Sequence, residues 1–169
     1  LIGFGVDSAI EVVAASALLW RFRSAKAGAS QEEHGRAEQR ALYVVSATFF
    51  ALAFCIAFEA VQGLASRDEP ESSRVGLILA VVSLAVMPTL AYAKQQTGRA
   101  LSSRALQADA VETWVCAYLS LALLVGIGLN IAAGWWWADP VAALAMLPVI
   151  VWQGWETLEE AREKQSEDQ

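Results

Sequence analysis

The chain has 169 residues, 56% of them hydrophobic, and a mean hydropathy of +0.41. The apolar residues come in long blocks rather than scattered stripes, which excludes an ordinary soluble globular domain and predicts a polytopic membrane protein. The formal charge of −6 comes largely from the C-terminal stretch ETLEEAREKQSEDQ, while the 12 basic residues are spread over segments flanking the blocks. That distribution leaves no footprint for nucleic acid, and with no Gly-rich phosphate loop and no nucleophile–base pair, nucleotide chemistry and catalysis are not expected.

In chain order, five spans are predicted, giving an all-α transmembrane helix bundle. The first, about residues 1–20, carries Asp7 and Glu11. The second, 41–65, is interrupted only by Glu59 and Gln62, and the third, 75–93, holds no charge. The fourth, about 105–133, contains Glu112 and then no charge from residue 113 to residue 138. The fifth, 140–155, follows Asp139 and precedes a short acidic tail, 156–169. The long blocks can cross roughly 30 Å of hydrocarbon at about 1.5 Å per residue. The chain begins with Leu1 already inside an apolar helix and without a basic n-region, so a further helix is expected before it.

Basic residues set the expected orientation. Arg21, Arg23, Lys26, Arg36 and Arg40 follow the first span, and Lys94, Arg99 and Arg104 follow the third, placing the 21–40 and 94–104 loops and the C-terminus in the cytoplasm. The SRDEPESSR loop and the NIAAGWWWADP turn then face outward, with Trp135, Trp136 and Trp137 in the outer aromatic belt. Asp139 before Pro140 reads as a helix N-cap. Cys55 and Cys116 both lie within apolar spans, which points away from a disulfide framework.

The polar residues inside the spans carry the function. In GVDSAIEVV, Asp7 and Glu11 are four residues apart, and in ADAVETWVC so are Glu112 and Cys116. Residues at i and i+4 share one helix face, and ionisable groups at membrane depth mark functional sites. At about 1.5 Å per residue, Glu11 lies about 15 Å from Arg21 and Glu112 about 12 Å from Arg104; Asp7 and Cys116 follow at about 21 and 18 Å. The two pairs therefore fall at matching depths, as a tetrahedral four-ligand metal site requires. The competing readings are a wet helix end for Asp7 and Glu11, and a small core residue for Cys116. Asp109 reads as a capping or hydrogen-bonding residue near the helix start, and Glu59 as a carboxylate reaching for water.

These stretches resemble the cation diffusion facilitator family of divalent-metal/proton antiporters. GVDSAIEVVAASALLWRFR is similar to that family's second helix, with its metal-binding acidic pair. EEHGRAEQRAL is similar to its Gly-His-Gly-Arg-x-Glu signature, SRALQADAVETWVCAYLSLALLVG to its fifth helix, and ADPVAAL to the start of its sixth. The departures are Glu11 where Asp is common, Glu33 in place of Gly, Glu112 in place of His, Cys116 in place of Asp, and a tail too short for the ferredoxin-like domain of many members. The resemblance implies six helices in the full-length protein, a homodimer in the cell membrane, and outward transport of a divalent cation against protons. It implies a main site at Asp7, Glu11, Glu112 and Cys116, and suggests a second one at His34 with Glu33, where Glu32 and Glu38 are also near. A lone loop histidine is otherwise a solvated one.

Four ionised groups would put a formal charge of about −4 at low dielectric, which cannot persist in an empty site, so protons and the cation compete for it. Carboxylates suit Zn, Mn, Fe or Co, and a thiolate tilts the set toward Zn or Cd; no cofactor is expected beyond the transported ion. A metal-binding sensor or accessory protein of the same fold is the main alternative. An intramembrane metalloenzyme would need an activated water and more imidazole ligands than the chain offers, and a purely packing role for the small residues of VGIGLNIAAG is compatible with transport.

Overall fold

The computed structural model describes the backbone of residues 2–24, 31–66 and 74–167, and the side chains of Gly5 and of residues 8–23, 33–66 and 77–163. Asp7, Glu32, most of the SRDEPESSR loop and the last residues of the tail lie outside the described side chains. Five α-helices follow one another: α1 (Ile2–Ser24), α2 (Gln31–Ser66), α3 (Arg74–Ala100), α4 (Arg104–Ala133) and α5 (Ala138–Glu167). There is no strand among the described residues. An all-helical solution follows from the composition, because in lipid each backbone N–H and C=O must find its partner within the segment.

Four of the helices are long and apolar enough to cross a membrane: Glu33–Ser66, Leu77–Ala100, Arg104–Ala133 and Ala138–Glu163. The first span, α1, is 23 residues long, enough for about 34 Å at 1.5 Å per residue, but its opening side chains are outside the described set. The helices run well past the expected spans. α2 starts ten residues before residue 41, α3 continues through Lys94 and Arg99, and α5 carries on into the acidic tail. The expected 21–40 and 94–104 loops are therefore mostly helix. Gln, Glu, Ala and Arg in these extensions are good helix formers, so the helix does not stop where the hydrocarbon does.

α4 is the hub: it packs on all four other helices, whereas α3 packs chiefly on α4 and α1 chiefly on α2. Two apolar clusters hold the bundle together. One joins Val45, Phe49 and Ile56 of α2 to Ala108 and Val115 of α4 and Ile150 of α5, with Ile10 of α1 against it. The other joins Leu18, Leu42, Leu106 and Ala161, one from each of α1, α2, α4 and α5. α2 and α5 come close because Gly154 lets Phe49 in, where a Cβ would stand 3.0 Å from the Phe49 Cβ, and Ser46 Oγ donates to the Gly154 carbonyl at 2.9 Å. Small residues and buried hydroxyls of this kind replace the hydrophobic drive that is absent between helices in lipid.

The α3–α4 connection is tight. Ser103 N donates to Gly98 O at 2.9 Å, Ser102 adopts a left-handed φ of 50°, and Ser103 caps α4 by accepting from Leu106 N at 3.2 Å. A side chain at position 98 would collide with Gln107, whose Cγ and N lie 2.8 and 3.1 Å from the site of a Cβ. At the other end α4 closes on Gly134, at φ 69°, with its N–H on Asn130 O. α5 then begins at Ala138, so Asp139 sits in its first turn rather than at the N-cap.

Candidate metal centre

α4 turns Asp109, Glu112, Thr113 and Cys116 inward, all at most 4% exposed. The spacing explains this: positions i, i+3, i+4 and i+7 share a face, and α4 is surrounded by four helices. Glu112 is 1% exposed and lies against Thr48 of α2, whose Oγ1 is 3.0 Å from Glu112 Oε2 and 2.7 Å from Val45 O. One hydroxyl hydrogen cannot serve both oxygens. Donated to Glu112, it satisfies a carboxylate; donated to Val45, it leaves Oγ1 free to accept from a protonated carboxyl. Thr48 thus accommodates either form of Glu112 without moving.

Glu11 on α1 is half-buried with Oε1 shut off from solvent, as is Oε1 of Glu112. The neighbouring Ile10 packs against the same cluster that contains Val115 and Ala108 of α4. Cys116 is buried and in no disulfide, with Ser120 Oγ donating to its carbonyl at 2.9 Å. Among the described residues no three His, Cys, Asp or Glu side chains gather into a metal-holding group; Asp7, the fourth expected ligand, lies outside them.

Asp109 takes the hydrogen-bonding role expected of it rather than the capping one. Ser103, not Asp109, caps α4. Asp109 instead pairs with Lys94, Nζ to Oδ2 at 2.8 Å, and the same ammonium donates to Thr113 Oγ1 at 2.8 Å. Lys94 is part of α3 and reaches into the bundle, which removes it from the set of loop cations. The ion pair neutralises the carboxylate one turn before Glu112.

His34 is half-buried and Glu33 exposed near the start of α2. As sequence neighbours on a helix they do not face each other. Glu38, one turn beyond His34, is 3% exposed and turned inward onto α1 and α4 rather than toward His34's surroundings. Neither Thr48 nor Lys94 stood out in the sequence as part of the site. The available signal was a hydroxyl and a lysine inside helical stretches that otherwise carry few polar groups.

The chain matches the cation efflux transmembrane domain over residues 1–164. It is 28% identical over 163 residues to an uncharacterized transporter of Synechocystis sp., covering 95% of this chain and 53% of that protein. It is 28% identical over 111 residues to the cation-efflux pump FieF of Shewanella oneidensis, 66% of this chain and 37% of the pump. Transmembrane protein 163 of Xenopus laevis is 27% identical over 123 residues, 73% of this chain and 42% of that one. The chain thus spans about half or less of the length of these relatives. With the domain match running through all five helices, the two acidic helices and the buried face of α4 included, the chain belongs to the cation efflux family.

Proposed function

We propose that the chain is the membrane domain of a secondary active transporter that exports divalent cations, zinc first among them, from the cytoplasm in exchange for protons. The observation that carries this reading is Glu112, a carboxylate 1% exposed at the centre of an apolar bundle and hydrogen-bonded by Thr48. A carboxyl group at that depth costs several kcal/mol unless it is protonated or paired, so an arriving cation and a departing proton are natural alternatives there. The ligands are Asp7 and Glu11 from α1 and Glu112 and Cys116 from α4. The two basic loop ends and the C-terminus face the cytoplasm of a cell-membrane protein that works as a homodimer, and the chain catalyses no covalent chemistry.

Substrate is bound while the charge of the ligand set is uncompensated and released when protons return to Glu112 and its neighbours. A thiolate from Cys116 beside carboxylates favours Zn or Cd over Mn. The test is uptake of Zn, Cd, Co, Mn and Fe into proteoliposomes of the full-length protein under an imposed pH gradient, with Glu112→Ala beside the parent protein. Gradient-dependent flux abolished in the variant supports the reading. Metal binding without flux replaces it with a sensor or accessory role.

A further inference from the structure

One carboxylate joins three helices at the end of the bundle where α1 stops and α4 starts. Glu38 of α2 is 3% exposed. Its Oε1 accepts from Ala105 N at 2.9 Å and Ser103 Oγ at 3.1 Å, both at the N-terminus of α4. Its Oε2 takes Arg21 Nε from the end of α1, and Ser103 Oγ also approaches it at 3.2 Å. Ser103 is itself fully buried, and it accepts from Leu106 N as the cap of α4. The carboxylate therefore completes a helix N-terminus, where unsatisfied N–H groups and the helix dipole favour a negative charge, and at the same time holds a guanidinium from another helix.

The connectivity gives this cluster a role beyond stability. α1 meets α2 broadly and α4 only sparingly, so the relative placement of Glu11 and Glu112 is set largely through α2. We propose that Glu38 is a positioning residue that clamps α1 and α4 to α2 at the Arg21 end and keeps that end of the bundle closed over the Glu112 level. This rests on reading Glu11 and Glu112 as ligands of one cation, but the closure itself does not need the cation. Both ligand-bearing helices are tied to the same side chain, beside the apolar cluster of Leu18, Leu42 and Leu106, so loosening it weakens the hold on both together. When this end opens, each bond of the clamp can be exchanged for one to water.

Cys116, buried at 4% exposure on α4, is a native reporter of access to the site. In a Cys55→Ser background of the full-length protein, reconstituted in known orientation, the alkylation rate of Cys116 is measured with an impermeant maleimide added to one face at a time. Glu38→Gln keeps an oxygen for Ala105 N but removes the charge that holds Arg21, and Arg21→Ala removes the other half while leaving Glu38 on α4. The expected result is at least a tenfold faster reaction from the Arg21 face in each variant, no change from the opposite face, and no further gain in the double variant. Arg21→Lys, which keeps the charge, should return most of the protection. Unchanged rates, acceleration from both faces alike, or additive effects in the double variant would overturn the clamp. A parent protein that moves no metal would end the transport reading, yet the sidedness of Cys116 labelling would still decide whether Glu38 closes this end.

Discussion

Lys94 of α3 and Asp109 of α4 face each other across the helix interface, Nζ 2.8 Å from Oδ2, with side chains 17% and 2% exposed. α3 touches the rest of the bundle mainly through α4, and the residues that seat it there are small: Ala80, Ala91 and Gly98 are buried while most of its large side chains point outward. The ion pair is thus the polar fastening of an otherwise peripheral helix. It also places a neutral ion pair one turn from Glu112.

Removing one partner of such a pair leaves a buried charge with nothing opposite it, which costs about 3–5 kcal/mol. Lys94→Met is therefore expected to destabilise the protein by roughly that amount in thermal or denaturant unfolding in detergent. Lys94→Met with Asp109→Asn removes both charges and should recover at least half of the loss. If the double variant is as unstable as the single one, the pair is not what seats α3.

Gly126 is where α4 meets the start of α5. A Cβ there would lie 2.6 Å from the Asp139 Cβ and 3.1 and 3.2 Å from its Cα and N, so backbone would have to move. Gly126→Ala is expected to cost about 1–3 kcal/mol by overpacking. Gly128 has nothing within 4 Å of the same position, and Gly128→Ala should be neutral or stabilise by up to about 1 kcal/mol through helix propensity. Parallel unfolding curves of the two variants check the contrast, and equal effects would mean that α4 and α5 do not approach as described.

Thr48→Val removes the hydroxyl that reaches Glu112 while keeping the side-chain volume. Leaving a buried carboxyl oxygen short of that partner costs about 1–3 kcal/mol, and Thr48→Ser, which retains the oxygen, should stay close to the parent. The same pair separates packing from chemistry in the transport assay. Thr48→Val is expected to slow proton-driven flux more than it weakens metal binding, because the hydroxyl serves both the protonated and the ionised form of Glu112. Equal losses in Thr48→Ser and Thr48→Val would assign the effect to packing alone.

How legible these features are in the sequence depends on their range. The apolar blocks announce α2 to α5, and the i, i+4 spacing puts Glu112 and Cys116 on the buried face of α4. Helix ends are harder, since the charged EEHGRAEQR segment reads as loop although most of its residues are good helix formers and it starts α2. Asp109 looks like a cap because it lies near the start of an apolar run; the cap is Ser103, which becomes apparent only once Gly98 and Ser102 have turned the chain sharply. Lys94–Asp109, Thr48–Glu112 and Arg21–Glu38 join different helices, and no local periodicity encodes which helices pack together. Glu38 is the clearest case: within a run of charges it resembles a solvated neighbour of His34, and only the packing of α1 and α4 onto α2 reveals it as buried.

Cys116 stands where the family resemblance leads one to expect Asp, and its burial beside Glu112 makes it the residue through which metal preference should be adjustable. Thiolate ligation favours softer ions, whereas an all-carboxylate set suits Mn, Fe and Co. Cys116→Asp is expected to shift the ratio of Cd to Mn uptake by at least tenfold toward Mn, with total flux retained for at least one metal. Cys116→Ser, which offers a neutral hydroxyl, should lower uptake of every ion without that reversal. The measurement is competitive uptake of the two metals into proteoliposomes at one pH gradient. A ratio unchanged in Cys116→Asp would place the thiol outside the coordination sphere and leave the cation to Asp7, Glu11 and Glu112.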